Sequence, residues 1–556
     1  MTRTYCNPMD LDYGFCPIPN FVTCGKHRAT ADPAIVRFRD DYYLFSTNQW
    51  GYWWSTDLSE WTFVPRLFLK PDANVFDELC APAIWVMDDA LYVVGSTYTK
   101  EFTIWRSRNP RVDDWEVACE SFEGGAWDPA FLLDDDGRLY LYHGSGNDKP
   151  LYGREIDPKT LQPLGENVPL VHLDPENHGW ERFGEANDNT FLHPFMEGAW
   201  TTKHEGRYYL QYGAPATEFS GYADGVYVAD APLGPFVYQR HNPVSYVPGG
   251  FARGAGHGAT FVDHADRYWH TSTIVIGVKN NFERRNGLWP CGFDAEGTMW
   301  CDSAYSDYPR ALPATGHGEL AGWMLLNYAK PVRASSTLGG FSANFAVDEN
   351  IKTYWSAESG GPDEWFESDL GAASTVHAIQ VNFADQDAEL MGKVPGISQA
   401  YRVMGSLDGQ TWFLITESEG RDAPHAYHEL PEPVRARYVR IDGIRAATGK
   451  VALSGLRVFG LGDGLPPRQP DQLVVLRGAS EPRNAWLKWA GQGDATGYVI
   501  RSGVAPDKLY HSMTVYTATE AWWRAMTRDE TYWFTLEAFN ENGISPRTAP
   551  VESPAP

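Results

Sequence analysis

Five short segments in the first 300 residues share one alternation of apolar and polar positions. They are Ala31-Asp-Pro-Ala-Ile-Val, Cys80-Ala-Pro-Ala-Ile-Trp, Trp127-Asp-Pro-Ala-Phe-Leu, Met196-Glu-Gly-Ala-Trp-Thr and Gly256-His-Gly-Ala-Thr-Phe. Each has Pro or Gly in third place and Ala in fourth. A polar turn follows, such as Asp134-Asp-Asp-Gly, and then an aromatic-rich run opening at Tyr42, Leu91, Leu139, Tyr208 or Tyr268. Short apolar run, tight polar turn and short apolar run spell a hairpin. Its recurrence about every 50 to 70 residues, with no long amphipathic helix between, predicts the five blades of a β-propeller. The small third and fourth residues suit strands crowded around an axis.

The pattern stops near residue 310. A second unit opens around Asn327 with alternating runs such as Ala378-Ile-Gln-Val-Asn-Phe and Tyr438-Val-Arg-Ile, the signature of an antiparallel sandwich. Gly462-Asp-Gly-Leu-Pro-Pro-Arg-Gln-Pro reads as a linker. Beyond it, short strands at about 8–12-residue spacing predict a small seven-stranded sandwich. The chain is therefore expected to be all-β: a five-bladed propeller over 1–322, then β-sandwiches over 325–461 and 466–556.

Composition narrows the partners. Of 556 residues, 43% are hydrophobic and 21% charged, which is globular. Against 46 basic residues stand 72 acidic ones, a net charge of −26 that repels phosphate backbones and anionic membrane surfaces. No run approaches the ~18–20 apolar residues of a membrane helix. Met1–Asp10 lacks the pattern of a secretory signal, so the expected location is cytoplasmic, or secreted or periplasmic if a signal has been removed. The seven cysteines, Cys6, Cys16, Cys24, Cys80, Cys119, Cys291 and Cys301, form no C-x-x-C motif; Cys291 and Cys301 are a candidate pair for closing a loop. Oligomeric state is not legible.

The second place of the five segments holds Asp32, Ala81, Asp128, Glu197 and His257. If the segments are equivalent, these side chains surround one axis. A single Asp before Pro usually bonds local backbone, but four ionisable groups in one crowded place gain little for folding. Such clusters push pKa values apart and separate an acid from a base. The glycine-rich Gly249–Gly256 lacks the Lys-Ser/Thr of a phosphate loop, and there is no Gly-x-Ser-x-Gly elbow. Glu185 is a rival acid, and Trp50, Trp53, Trp54 and Trp85 are candidate sugar platforms set against a core-packing role.

On these motifs the first ~315 residues resemble the family 43 glycoside hydrolases. The resemblance implies that Asp32 is the general base, that Glu197 is the general acid, and that Asp128 orients Glu197 and raises its pKa. It makes His257, Arg285, Trp53 and Trp85 substrate contacts, with Arg284 competing for the arginine role. The acid motif is Glu-Gly-Ala here, where the family usually has Glu-Gly-Pro. The implied activity is an inverting, exo-acting glycoside hydrolase on plant-type polysaccharide, with two carboxyl groups about 6.5–9.5 Å apart flanking a water. An α-L-arabinofuranosidase is the leading expectation. A β-xylosidase or a galactofuranosidase/galactosidase is the alternative, and a non-catalytic carbohydrate-binding protein is the alternative of another class. No cofactor is required; calcium in the propeller axis, near His257 through water, or in the second unit is an option. Residues 325–461 resemble a discoidin (coagulation factor 5/8 C) module through Ala334-Ser-Ser, Ala346-Val-Asp, Thr353-Tyr-Trp-Ser and Asp369-Leu-Gly, which implies carbohydrate binding or a rigid spacer. Residues 466–556 resemble a fibronectin type III domain through Trp486, Tyr498 and Tyr532.

Overall fold

The computed structural model describes residues 3–16, 25–47, 49–66, 79–97, 102–124 and 127–556; Cys24 lies outside them. The described residues are almost wholly strand and turn. The five repeats each start a sheet. The first runs Ala34–Phe38, Asp41–Phe45, Gly51–Ser55 and Thr62–Pro65, paired in that order. The second begins at Cys80–Met87, the third at Ala130–Leu133, the fourth at Glu197–His204 and the fifth at Arg253–Val262. Fourth and fifth are joined by one parallel pairing, Ala223 with Ala255. In every case the aromatic run is the second strand, as the alternation requires: Asp41–Phe45, Ala90–Ser96, Leu139–His143, Arg207–Ala214 and Tyr268–Val275. Each sheet's lead strand lies against the lead strand of the next, and that of the fifth lies against that of the first. Thr4–Tyr5 pairs with Arg310–Ala311, so the start of this unit is stitched to its end.

A second sheet system follows, in the order Met324–Leu325, Ala452–Leu461, Phe366–Phe383, His425–Arg445, Gln399–Ser406 and Trp412–Arg421. Its core gathers Trp355, Phe366, Val381, Val439 and Leu456. The last ~90 residues form a three-stranded sheet (Val474–Arg477, Ala485–Lys488, Glu520–Trp523) and a five-stranded one centred on Gly497–Gly503 and Tyr532–Asn540.

These sheets do not hang as separate beads. One apolar core contains Tyr140, Trp180 and Tyr212 together with Trp489, Trp523 and Phe534. Another joins Tyr305, Tyr308, Phe459 and Phe539. Buried cations cross the same boundaries. Arg457 pairs with Glu349 at 2.8 Å and donates to the Asp307 carbonyl at 2.6 Å. Arg28 pairs with Asp385 at 2.9 Å and Asp422 at 2.6 Å. Charges this deep persist only when paired.

The structure buries three side chains that were expected to contact sugar. Trp53 is fully buried, packs on Tyr13 and Phe63, and donates its indole N–H to Asp12. Trp85 is stacked between Tyr92 and Phe131. Both lie on the faces between adjacent sheets, where large flat side chains fill the core. Arg285 is buried toward the second unit, donating to His425 Nε2 at 2.9 Å and to the Arg28 carbonyl at 3.1 Å. Neighbours on a strand point to opposite faces, so it is Arg284 that faces the carboxylates. Cys291 and Cys301 sit opposite each other in register, buried and unbonded.

Candidate active site

The second place of the repeats is set apart by its backbone as well as its chemistry. Asp32, Ala81, Asp128 and His257 have φ of 51°, 44°, 52° and 50°, and in the fourth repeat the same turn falls one place later, at Gly198 with φ 69°. A left-handed non-glycine residue costs about 1–3 kcal/mol and recurs at functional sites. Hydroxyls hold these turns. The N–H groups of Asp32, Ala81 and Asp128 donate to Thr273 Oγ1 at 2.9 Å, Thr47 Oγ1 at 2.6 Å and Ser96 Oγ at 2.9 Å. Each hydroxyl comes from the preceding sheet, the fifth serving the first. At Gly198 a Cβ would stand 2.8 Å from the His257 ring, so only glycine fits.

The ionisable groups converge. Asp128, Glu197 and His257 offer donor atoms that all lie within 4.8 Å of one another. His257 Nδ1 is 3.3 Å from Asp32 Oδ1, and Arg284 Nη1 is 3.9 Å from the same oxygen. Thr47 donates to Asp32 Oδ2 at 2.6 Å, Tyr222 donates to Glu197 Oε1 at 2.6 Å, and Arg284 donates to Thr217 at 2.8 Å. Behind His257, the fully buried Asp224 accepts from the Gly258 N–H and meets His270 Nε2, each at 3.0 Å. Trp127, next to Asp128 in the chain, is 39% exposed.

Crowding sets the charges. Burial, and then the charge of Asp128, pushes Glu197 from 4.5 up to about 7. Burial likewise pushes Asp128 from 3.8 up to about 6, with His257 opposing and Asp32 adding to the rise. Burial alone would push His257 down, but Asp32, Asp128 and Glu197 outweigh it and hold its pKa above the ordinary value. The arrangement can hold a proton on Glu197 near neutral pH. Asp128, Glu197 and His257 could also ligate a cation, but calcium takes six to eight oxygens, so water would supply most of them.

Repeat spacing brings Asp32, Asp128, Glu197 and His257 together as expected from the sequence. Glu185, by contrast, is tied to Ser220 and to Lys352 of the second unit. Tyr222 and Thr47 also bond the site carboxylates, and no chemical motif in the sequence marks either.

Residues 26–299 match the family model Glycosyl hydrolases family 43, and residues 331–455 match the F5/8 type C domain. The chain is thus similar to family 43 glycosyl hydrolases over the first of these segments and to F5/8 type C domains over the second. A beta-xylosidase of Xylanibacter ruminicola is 31% identical over 134 residues, 20% of this chain and 39% of that protein. An arabinoxylan arabinofuranohydrolase of Paenibacillus polymyxa is 31% identical over 165 residues, 27% of this chain and 24% of that protein. The chain thus spans two fifths or less of these relatives' lengths. A solved structure described as a glycoside hydrolase is 18% identical, covering 78% of this chain and 99% of its own, at a TM-score of 0.46. No helix among the described residues is long and apolar enough to cross a membrane.

Proposed function

We propose that the chain is an inverting, exo-acting glycoside hydrolase that releases pentose units, α-L-arabinofuranosyl groups first, from plant-type polysaccharide or its oligosaccharides. The observation that carries this reading is a buried acid, Glu197, whose pKa is raised beside a second carboxyl, with a further carboxylate, Asp32, across His257. In this reading Glu197 protonates the departing glycosidic oxygen. Its Oε1 accepts from Tyr222, so the proton sits on Oε2. Asp32 takes a proton from the water that attacks the anomeric carbon, while Thr47 fixes one of its oxygens. Asp128 keeps Glu197 protonated through like-charge repulsion. Arg284 takes the substrate-contacting role expected of Arg285, and Trp127 stacks on the sugar face.

A five-bladed propeller over 1–322 is part of the proposal, supported by lead strands that neighbour one another in cyclic order. A sandwich over 325–461 and a fibronectin type III-like unit over 466–556 complete it, the latter supported by sheets of three and five strands. The named relatives, a xylosidase and an arabinofuranohydrolase, support a pentose substrate; the first keeps β-xylosidase as the second reading.

The test is sugar release from a panel of arabinoxylan, arabinan, xylan and galactan, comparing wild type with Glu197→Gln and Asp32→Asn. Release of one pentose by wild type alone is expected. Equal release by all three proteins would remove the assignment.

A further inference from the structure

The third unit leaves an apolar face in water. In its three-stranded sheet, Ala485, Leu487 and Trp523 point into the core. The alternate positions point outward. Leu476, Trp486 and Trp522 are register partners in one row across the three strands, and Val474, Lys488 and Glu520 are partners in the next. Leu476 is 53% exposed, Trp522 50% and Val474 46%. The solvent face of a sandwich sheet is ordinarily polar, and a contiguous exposed apolar group marks an interaction surface. Lys488 lies over Trp486 at 5.5 Å and Arg524 over Trp522 at 5.4 Å, so cations hold these indoles.

The face is tied by an ion pair to the segment that precedes Glu197 in the chain. Arg524 meets Asp188 at 3.9 Å. Asp188 belongs to the loop that leads into Glu197, the proposed acid. In that loop Asn189 accepts the N–H groups of Phe191 and Leu192, and these two side chains are 92% and 56% exposed. The boundary beneath is fixed by Gly179 N–H donating to the Met526 carbonyl at 2.9 Å and by Arg182 donating to Asn484 at 2.5 Å.

We propose that the row Leu476, Trp486 and Trp522 binds a run of uncharged polysaccharide, the continuation of the chain whose end or branch enters the candidate site. The occupant follows from the chemistry. Indole faces stack on the C–H faces of sugar rings, Lys488, Glu520 and Arg524 reach hydroxyls, and a chain of net charge −26 disfavours acidic partners. The proposal rests on the hydrolase reading above only for which polymer is bound.

The test uses the full chain in two assays. Migration of Glu197→Gln protein in native gels containing soluble arabinoxylan or debranched arabinan is compared with the same protein carrying Trp486→Ala and Trp522→Ala. In parallel, catalytically wild-type protein with and without those two changes is assayed on the polymers and on 4-nitrophenyl pentosides. Retardation of the parent and its loss in the double variant are expected. So is a KM on polymer raised on the order of tenfold, with the small-substrate kinetics unchanged. A parent that neither polymer retards, or equal retardation of both proteins, would overturn the proposal. So would sedimentation showing that the parent is a dimer which the double variant dissolves, because the face would then hold a second copy. Retardation that depends on both tryptophans, without turnover of any substrate, would uphold this surface and remove the hydrolase reading instead.

Discussion

At the residue scale, two neighbours act on Glu197 with opposite sign. The charge of Asp128 raises its pKa, and the hydrogen bond from Tyr222 lowers it. An acid must be protonated to act, so activity is lost as pH rises through the Glu197 pKa. Asp128→Asn is expected to move the alkaline limb of kcat/KM to lower pH, and Tyr222→Phe to move it higher, each with a kcat reduced on the order of tenfold or more. Limbs that stay in place in both variants would mean that another group titrates. The same raised pKa bears on stability. The folded state favours the protonated carboxyl, so this contribution is present below about pH 4.5 and lost as pH climbs toward 7. Glu197→Gln is therefore expected to be more stable than wild type at pH 8, by about 1–3 kcal/mol, and little different at pH 4. Thermal melts at the two pH values check this. Asp32, Asp128, Glu197 and His257 were legible because they share one place in a repeat. Tyr222 was not, because it reaches the site from a turn outside the repeated segments; Thr47 shares its place after the aromatic run with Ser96 and Thr273, but a lone hydroxyl there carries no chemistry of its own in sequence.

At the scale of strands and turns, the hairpins could be read because alternation and turn residues are local. What a strand's two faces meet is not local. Arg284 and Arg285 are adjacent in sequence, yet one faces Asp32 and the other His425 of the second unit. Trp53 and Trp85 read as surface platforms only while the face between sheets is unknown. Thr47 links two sheets: it accepts from the Ala81 N–H and donates to Asp32. Thr47→Val removes both bonds and leaves a buried donor unmade, an expected loss of about 1–3 kcal/mol together with reduced turnover. Thr47→Ser keeps the hydroxyl and should restore both. Denaturant melts and initial rates on the same preparations check it, and a Val variant equal to wild type would contradict the linking role.

At the scale of the whole molecule, motifs marked the successive units but not how tightly they pack. In sequence Arg28 and Arg457 belong to no motif and Arg285 reads as a substrate contact; in the fold all three are buried at boundaries, with Arg28 and Arg457 matched by acids far away in the chain. Asp385→Asn with Asp422→Asn would leave Arg28 without a counter-charge, an expected cost of about 3–5 kcal/mol. With shared apolar cores at the same boundaries, calorimetry should show one unfolding transition, lowered as a whole in that double variant. Separate transitions, only one of them shifted, would mean that the units are energetically independent.

The central claim is that Glu197 delivers the proton to the leaving oxygen. The most direct measurement is the rate of wild type and Glu197→Gln on a series of aryl pentosides whose phenols span a wide range of pKa. The expected result is a loss of several orders of magnitude in the variant on poor leaving groups, shrinking toward none on the most acidic phenols, which need no proton. An equal loss across the series, or none at all, would contradict Glu197 as the acid.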